Sequence, residues 1–371
     1  MNYTLAAKPH YPVLDGLRGV ASLTVVIFHI FETYSTSHID QIINHGYLAV
    51  DFFFLLSGFV IGYAYDNRWN TMTFGAFAKM RLIRLQPMVI MGTLLGAISF
   101  YYPSVTVWPL ISSVPLWKML AVMFVGFTMV PLPLSADIRG WNEMYPLNGP
   151  AWSLLYEYIV NILYGVFIRK FSNLALSIIV VLAAAVLVHY AVTNGDVIGG
   201  WSPEPKQIHA GIARVMYPFF AGLLLFRSVK LTKVKNAFLY SSLLALLVLA
   251  FPRIGGVEHL WQNGLYDALT IIFIFPLIVY LGAGGELKGK LENKICKFLG
   301  DISFPIYITH YPIIYIYTTW VKDNNIPFEQ GMIVGLLAFI LAIAVAYACL
   351  KLYDEPVRAW LKKKLVIGNK G

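Results

Sequence analysis

Long apolar runs with almost no charge recur along this chain, and they leave few folds open to it. Segments such as "LALSIIVVLAAAVLVHYAV" and "MIVGLLAFILAIAVAYACL" match the roughly 20 helical residues that cross a hydrocarbon core. The 371 residues are 58% hydrophobic and only 13% charged, a balance foreign to soluble domains. The expected fold is an all-α polytopic membrane protein built as a single domain over residues 1–371. Apolar spans are read at 14–34, 47–65, 84–101, 150–168, 174–192, 209–227, 236–251, 264–283, 302–320 and 329–351, which makes ten transmembrane helices.

Charge decides how these spans are oriented. The net charge of +9 does not point to nucleic acid, because the basic residues sit in short loops between apolar spans, where they report topology. Segment 104–131 is apolar but broken by prolines. If it is re-entrant or interfacial, most of the 28 Lys and Arg residues fall on one face. Only Lys118, Arg139, Lys206, Arg253 and Lys322 remain on the other, and Arg214 lies within a span. The positive-inside rule then places both termini in the cytoplasm of a bacterial inner-membrane protein. Residues 352–371 read as a cytoplasmic basic amphipathic tail lying against anionic lipid headgroups. The first 12 residues carry no cleavage pattern, so no removable leader is expected. Cys296 and Cys349 have no metal-ligand spacing, and neither a disulfide framework nor a metal site is expected.

Against this background the first helix carries unusual chemistry. Arg18 and His29 are eleven positions apart, within about 20° of one helical face and roughly 16 Å apart along the axis. Glu32 shares that stripe and is placed to accept the imidazole Nδ1–H, leaving Nε2 free as a base. Asp15 is placed to hold the Arg18 guanidinium. In "MRLIRLQP", Arg81 and Arg84 lie one turn apart, at the inner mouth of the third span. Forked cations suit phosphate oxygens. Each of these groups also has a plainer explanation, as a snorkelling or topological cation or a buried histidine. Together they describe a phosphate clamp and a base one pantetheine arm deeper in the membrane, which fits acyl-coenzyme A, with acetyl-coenzyme A the simplest case. Nucleotide-binding glycine motifs are absent.

Other polar positions are candidates for the acceptor side. "NGPAWSLLYEY" offers Asn148, Trp152 and Glu157, with Glu157 deep enough to need a partner such as an acceptor hydroxyl or Arg214. Asp51 is expected near a solvated helix N-terminus, and His310 beside the break at Pro312 is either capped or in contact with a ligand. Trp201 is either a sugar platform or an interfacial anchor. Ser57 of "LLSGF" is a runner-up nucleophile. A multi-helix transporter of an anionic or sugar-like solute is the competing function; its usual inverted repeats are not visible.

Six phrases in order, "LDGLRGVASLTVVIFH", "GYLAVDFFFLLSGFVIGY", "RLIRLQP", "NGPAWSLLYEY", "GDISFPIYITHYP" and the terminal "DEP", make the chain resemble the membrane-bound acyltransferase family 3. That family includes bacterial O-antigen and exopolysaccharide O-acyltransferases and macrolide acyltransferases. The resemblance implies ten transmembrane helices and transfer of an acyl group, usually acetyl, from acyl-coenzyme A to a hydroxyl of a glycan, lipid-linked sugar or small acceptor. It implies a catalytic His29, donor-binding Arg18, Arg81 and Arg84, and no metal. Some members carry an extra periplasmic domain; here such a partner is expected to be a separate protein.

Overall fold

The computed structural model describes residues 10–102, 107–108 and 110–367. Residues 1–9, where the expected absence of a leader falls, and 368–371 of the tail lie outside the described residues. Helices dominate, and among the described residues the only β-type pairing is one isolated bridge between Val234 and Gly285. Seven helical segments are long and apolar enough to cross a membrane: 12–32, 46–68, 74–98, 173–194, 205–228, 260–283 and 328–365. The three other expected spans fall on α5 (Ala151–Val166), on the 14-residue α8 (Ala237–Ala250) and on a kinked pair, α11 (Gly289–Thr309) and α12 (Tyr311–Asp323). The molecule is an integral membrane protein of helical type.

Close helix crossings set its frame. α1 (Pro12–Glu32) packs along α11, and α2 (Ala49–Tyr65) along α7 (Pro205–Ser228). Both contacts depend on missing side chains. A Cβ on Gly58 would lie 1.9 Å from the Phe219 carbonyl oxygen, and one on Gly222 would lie 2.0 Å from that of Leu55. Small residues that let backbones approach are the usual means of joining helices in lipid, where no hydrophobic drive operates. Phe52, Phe54, Phe219, Phe220 and Phe275 fill the adjoining core.

Several boundaries depart from the sequence reading. α3 (Phe74–Ile98) starts ten residues before the expected 84, because Thr73 caps it by accepting the Ala76 N–H at 3.2 Å. Arg81 and Arg84 therefore lie in the second and third turns of α3. Among its described residues, segment 104–131 forms a 3₁₀ turn, Ile111–Ser113, and α4 (Leu116–Gly126), about 16 Å long and too short to cross the core alone. The described part of the tail is helical and continuous with the last span: α13 (Phe328–Cys349) runs through a π-helical segment, Leu350–Asp354, into α14 (Glu355–Lys362). Pro356, lacking an N–H, widens the helix without ending it, as Pro276 does between α9 (Leu260–Leu269) and α10 (Phe275–Ala283).

Candidate active site

An inner cavity lies between α1, α2, α3, α5 and α11. Arg18, Arg81, Arg84, Ser57, Glu157 and Ser303 are among its walls. Arg18 is fixed on three sides: its Nη2 donates to Asp15 Oδ1 at 3.1 Å and to the Gly300 carbonyl at 3.1 Å, and its Nε donates to Ser303 Oγ at 2.7 Å. Arg81 Nη2 donates to Glu157 Oε1 at 2.5 Å, and Ser57 Oγ donates to the same oxygen at 2.9 Å. Arg84 stays exposed beside them. Three guanidinium groups thus share one chamber with two carboxylates, so the chamber is cationic. The "DEP" motif packs nearby through α14 on α3, with Asp354 buried and paired to Arg358 at 2.9 Å.

A second, outer cavity shares part of its wall with the inner one. His29 and Glu32 line it with Trp141, Glu143, Trp152, Trp201, Arg214 and Tyr311. The His29 Nδ1–H donates to Glu32 Oε2 at 2.6 Å, which leaves Nε2 as the lone-pair nitrogen. The ring is held on two more sides, stacked on His310 at 5.5 Å between centroids and edge-on to Tyr311 at 4.9 Å. Arg214 is a spent cation: it reaches Asp51 Oδ2 at 2.7 Å, the Tyr47 carbonyl at 2.8 Å and the Gly199 carbonyl at 3.1 Å, and its guanidinium lies 5.1 Å from the Trp152 ring centre. Glu143 is different. It is buried in the loop before α5, receives the Tyr315 O–H at 3.3 Å, and burial pushes its carboxyl up to about 7 although Arg139 beside it pulls the other way.

The two cavities share Val50 and Tyr307 in their walls. These two residues form a waist between the cavity of Arg18, Arg81 and Arg84 and the cavity of His29. The acyltransferase domain family matches residues 11–351, nearly the whole chain. The chain belongs to that acyltransferase family. Among curated proteins it is similar to protein 2 in the picA locus of Rhizobium radiobacter, 33% identical over 160 residues, 41% of this chain and 80% of that one. It is 24% identical over 370 residues to O-acetyltransferase OatA of Staphylococcus aureus, covering 95% of this chain and 58% of that protein. The putative peptidoglycan O-acetyltransferase YrhL of Bacillus subtilis is 24% identical over 362 residues, 90% of this chain and 53% of its own. The chain thus spans little more than half the length of these two O-acetyltransferases. No solved structure matches.

In this family member, the motif residues divide between the two cavities. Arg18, Arg81, Arg84 and Glu157 meet in the inner one; His29, Glu32, Trp152 and Arg214 meet in the outer one. Three expectations are corrected. Asp51 is not a solvated terminal acid: α7 covers the first turn of α2 and supplies Arg214 as its partner. Glu157 pairs with Arg81 and not Arg214, because α3 presents Arg81 from its second turn. Asn148 lines neither the inner nor the outer cavity; it borders a small one with Thr93 and Gly126, and its side-chain amide is buried without a hydrogen-bond partner among the described residues. His310 is capped by the Ile306 carbonyl, 2.9 Å from its Nδ1, and backs His29 without lining either large cavity. Trp201, for which the sequence leaves two readings open, lines the outer cavity. Sequence reasoning missed Glu143 and Trp141, whose loop has no periodicity, and Tyr307, whose signal is its place three residues before His310 in "FPIYITH".

Proposed function

We propose that the protein is a membrane O-acyltransferase of the bacterial cytoplasmic membrane. It moves an acyl group, acetyl in the simplest case, from acyl-coenzyme A to a hydroxyl of a sugar in a cell-surface glycan or glycolipid. The reading rests on one observation: an arginine-lined chamber and a histidine-lined chamber abut at a single waist. The donor's phosphates lie with Arg18, Arg81 and Arg84, and its pantetheine arm runs up α1 to bring the thioester to His29. The acceptor occupies the outer chamber, where Trp141, Trp152 and Trp201 offer apolar faces to a sugar ring. Two relatives named as O-acetyltransferases agree with this direction, and the positive-inside rule supports ten crossings with both termini cytoplasmic.

In the chemical step His29 Nε2 removes the acceptor hydroxyl proton as its oxygen attacks the thioester carbon. Glu32 stabilises the imidazolium. The tetrahedral adduct then collapses, the C–S bond breaks, and the coenzyme A thiolate takes the proton back from the imidazolium. The products are the ester and free coenzyme A. Ser57 is a poorer nucleophile for this step, because its hydroxyl is engaged by Glu157 in the inner chamber and His29 lines the other one.

Calorimetry with acetyl-coenzyme A on the protein in nanodiscs, with thioester turnover followed in parallel, tests the reading. Wild type is expected to bind and turn over. Arg81→Ala/Arg84→Ala is expected to lose binding, and His29→Ala to bind without turnover. No binding to wild type at millimolar donor would remove the donor and send the search to transport assays.

A further inference from the structure

Among the described residues, Tyr307 is the one with a side-chain polar group in both cavity walls, since its companion at the waist is Val50. Any thioester reaching from the arginines to His29 passes it. The phenol is buried on α11, with its ring edge-on to Phe53 at 5.5 Å between centroids, so its position is set by packing. Its hydroxyl lies 2.8 Å from Ser153 Oγ and a long 3.4 Å from the Pro150 carbonyl. Ser153 in turn has a second outlet, donating to the Pro150 carbonyl at 3.0 Å.

We propose that Tyr307 is the oxyanion donor of the acyl-transfer reaction and that Ser153 acts through it as a positioning residue. The inference rests on the donor-and-base reading above. A tetrahedral adduct develops negative charge on the former thioester oxygen, which needs a donor already in place. A tyrosine hydroxyl donates one hydrogen bond while accepting others. When the Ser153 O–H turns from Pro150 to the phenol oxygen, the Tyr307 proton is released toward the waist. The phenol lends this proton as a hydrogen bond and does not transfer it; on collapse of the adduct the C=O re-forms and the phenol returns to Ser153. The "NGPAWS" stretch thereby acquires a role, in which Pro150 and Ser153 aim a hydroxyl carried by a different helix.

The test uses the full chain in nanodiscs, with acetyl-coenzyme A as donor and water or a panel of methyl glycosides as acceptor. Tyr307→Phe keeps the ring and its packing, and kcat is expected to fall about 10²- to 10³-fold with KM for acetyl-coenzyme A changed by less than about twofold. Ser153→Ala is expected to lose about tenfold in kcat. Replacing Tyr307 by 3-fluorotyrosine, a more acidic phenol, is expected to raise kcat at a pH below that phenol's ionisation, a response that a merely structural ring would not give. A Tyr307→Phe enzyme that keeps more than about a third of wild-type kcat overturns the proposal, and so does a 3-fluorotyrosine enzyme whose kcat is unchanged from that of wild type. Wild type and His29→Ala are run in the same series. A wild type that does not turn over acetyl-coenzyme A overturns the donor reading and this inference together, whereas normal wild-type turnover with an unaffected Tyr307→Phe overturns this inference alone.

Discussion

Glu143 is the carboxylate of the outer chamber whose charge lies within reach of ordinary pH. Burial lifts it to about 7, Arg139 and the Tyr315 hydroxyl lower it, and Asp137 raises it. An acid shifted upward carries its negative charge only above that value, so on the proposed reading a hydrogen bond that it accepts from an acceptor hydroxyl is expected to strengthen as pH rises from about 6 to about 8. Titrating methyl glycosides calorimetrically across that range is expected to show tightening affinity in wild type and a flatter profile in Glu143→Gln. His29 and Glu32 face the same chamber, so the difference between the two profiles is the measure. Asp51 carries a different load. Both of its oxygens receive Arg214, and Asp51→Asn leaves a buried guanidinium without its counter-charge. A cost of about 3–5 kcal/mol is expected, read as a fall in the detergent unfolding midpoint.

Among the elements, the α2–α7 crossing is the most demanding. It lies beside Phe219 and Phe220 and holds Asp51 against Arg214 through backbones that touch at Gly58 and Gly222. Gly58→Leu has no room to relax, because its neighbour is a carbonyl and not a flexible side chain. The variant is expected to fail to accumulate as a monodisperse protein on size-exclusion chromatography. Gly75→Leu, where a Cβ would meet nothing closer than 4.0 Å, is expected to behave as wild type. The α11–α12 kink is the other positioning element, since the turn at His310 before Pro312 brings both His310 and Tyr311 against the His29 ring.

For the molecule as a whole, helical class and most spans were legible because apolar length is written directly in sequence. The i,i+3 pairs, Asp15 with Arg18 and His29 with Glu32, were legible for the same kind of reason: helical geometry fixes them locally. Partners across helices were not. Asp51 with Arg214 and Arg81 with Glu157 are separated by 163 and 76 positions, and only the packing of α2 on α7 and α3 on α5 selects them. Helix ends were misplaced where a cap or a proline outweighed hydropathy, as at Thr73 and Pro356. The outer chamber was the least legible part, because Trp141 and Glu143 come from a loop whose course depends on Asp137 accepting the N–H groups of Arg139, Gly140 and Asn142.

Arg18 and His29 project from one unbroken helix, clasped along its length by α11. On the proposed reading α1 is a measuring rod, graduated in steps of about 1.5 Å, with no hinge by which it could adapt to a donor of another reach. Two synthetic donors read the rod. An acetyl thioester of coenzyme A shortened by its β-alanine unit keeps every phosphate and falls short of the histidine, so it should occupy the protein and resist turnover. Acetyl-pantetheine has the full reach and no phosphates to anchor it, so it should react, but only at concentrations far above those that saturate with acetyl-coenzyme A.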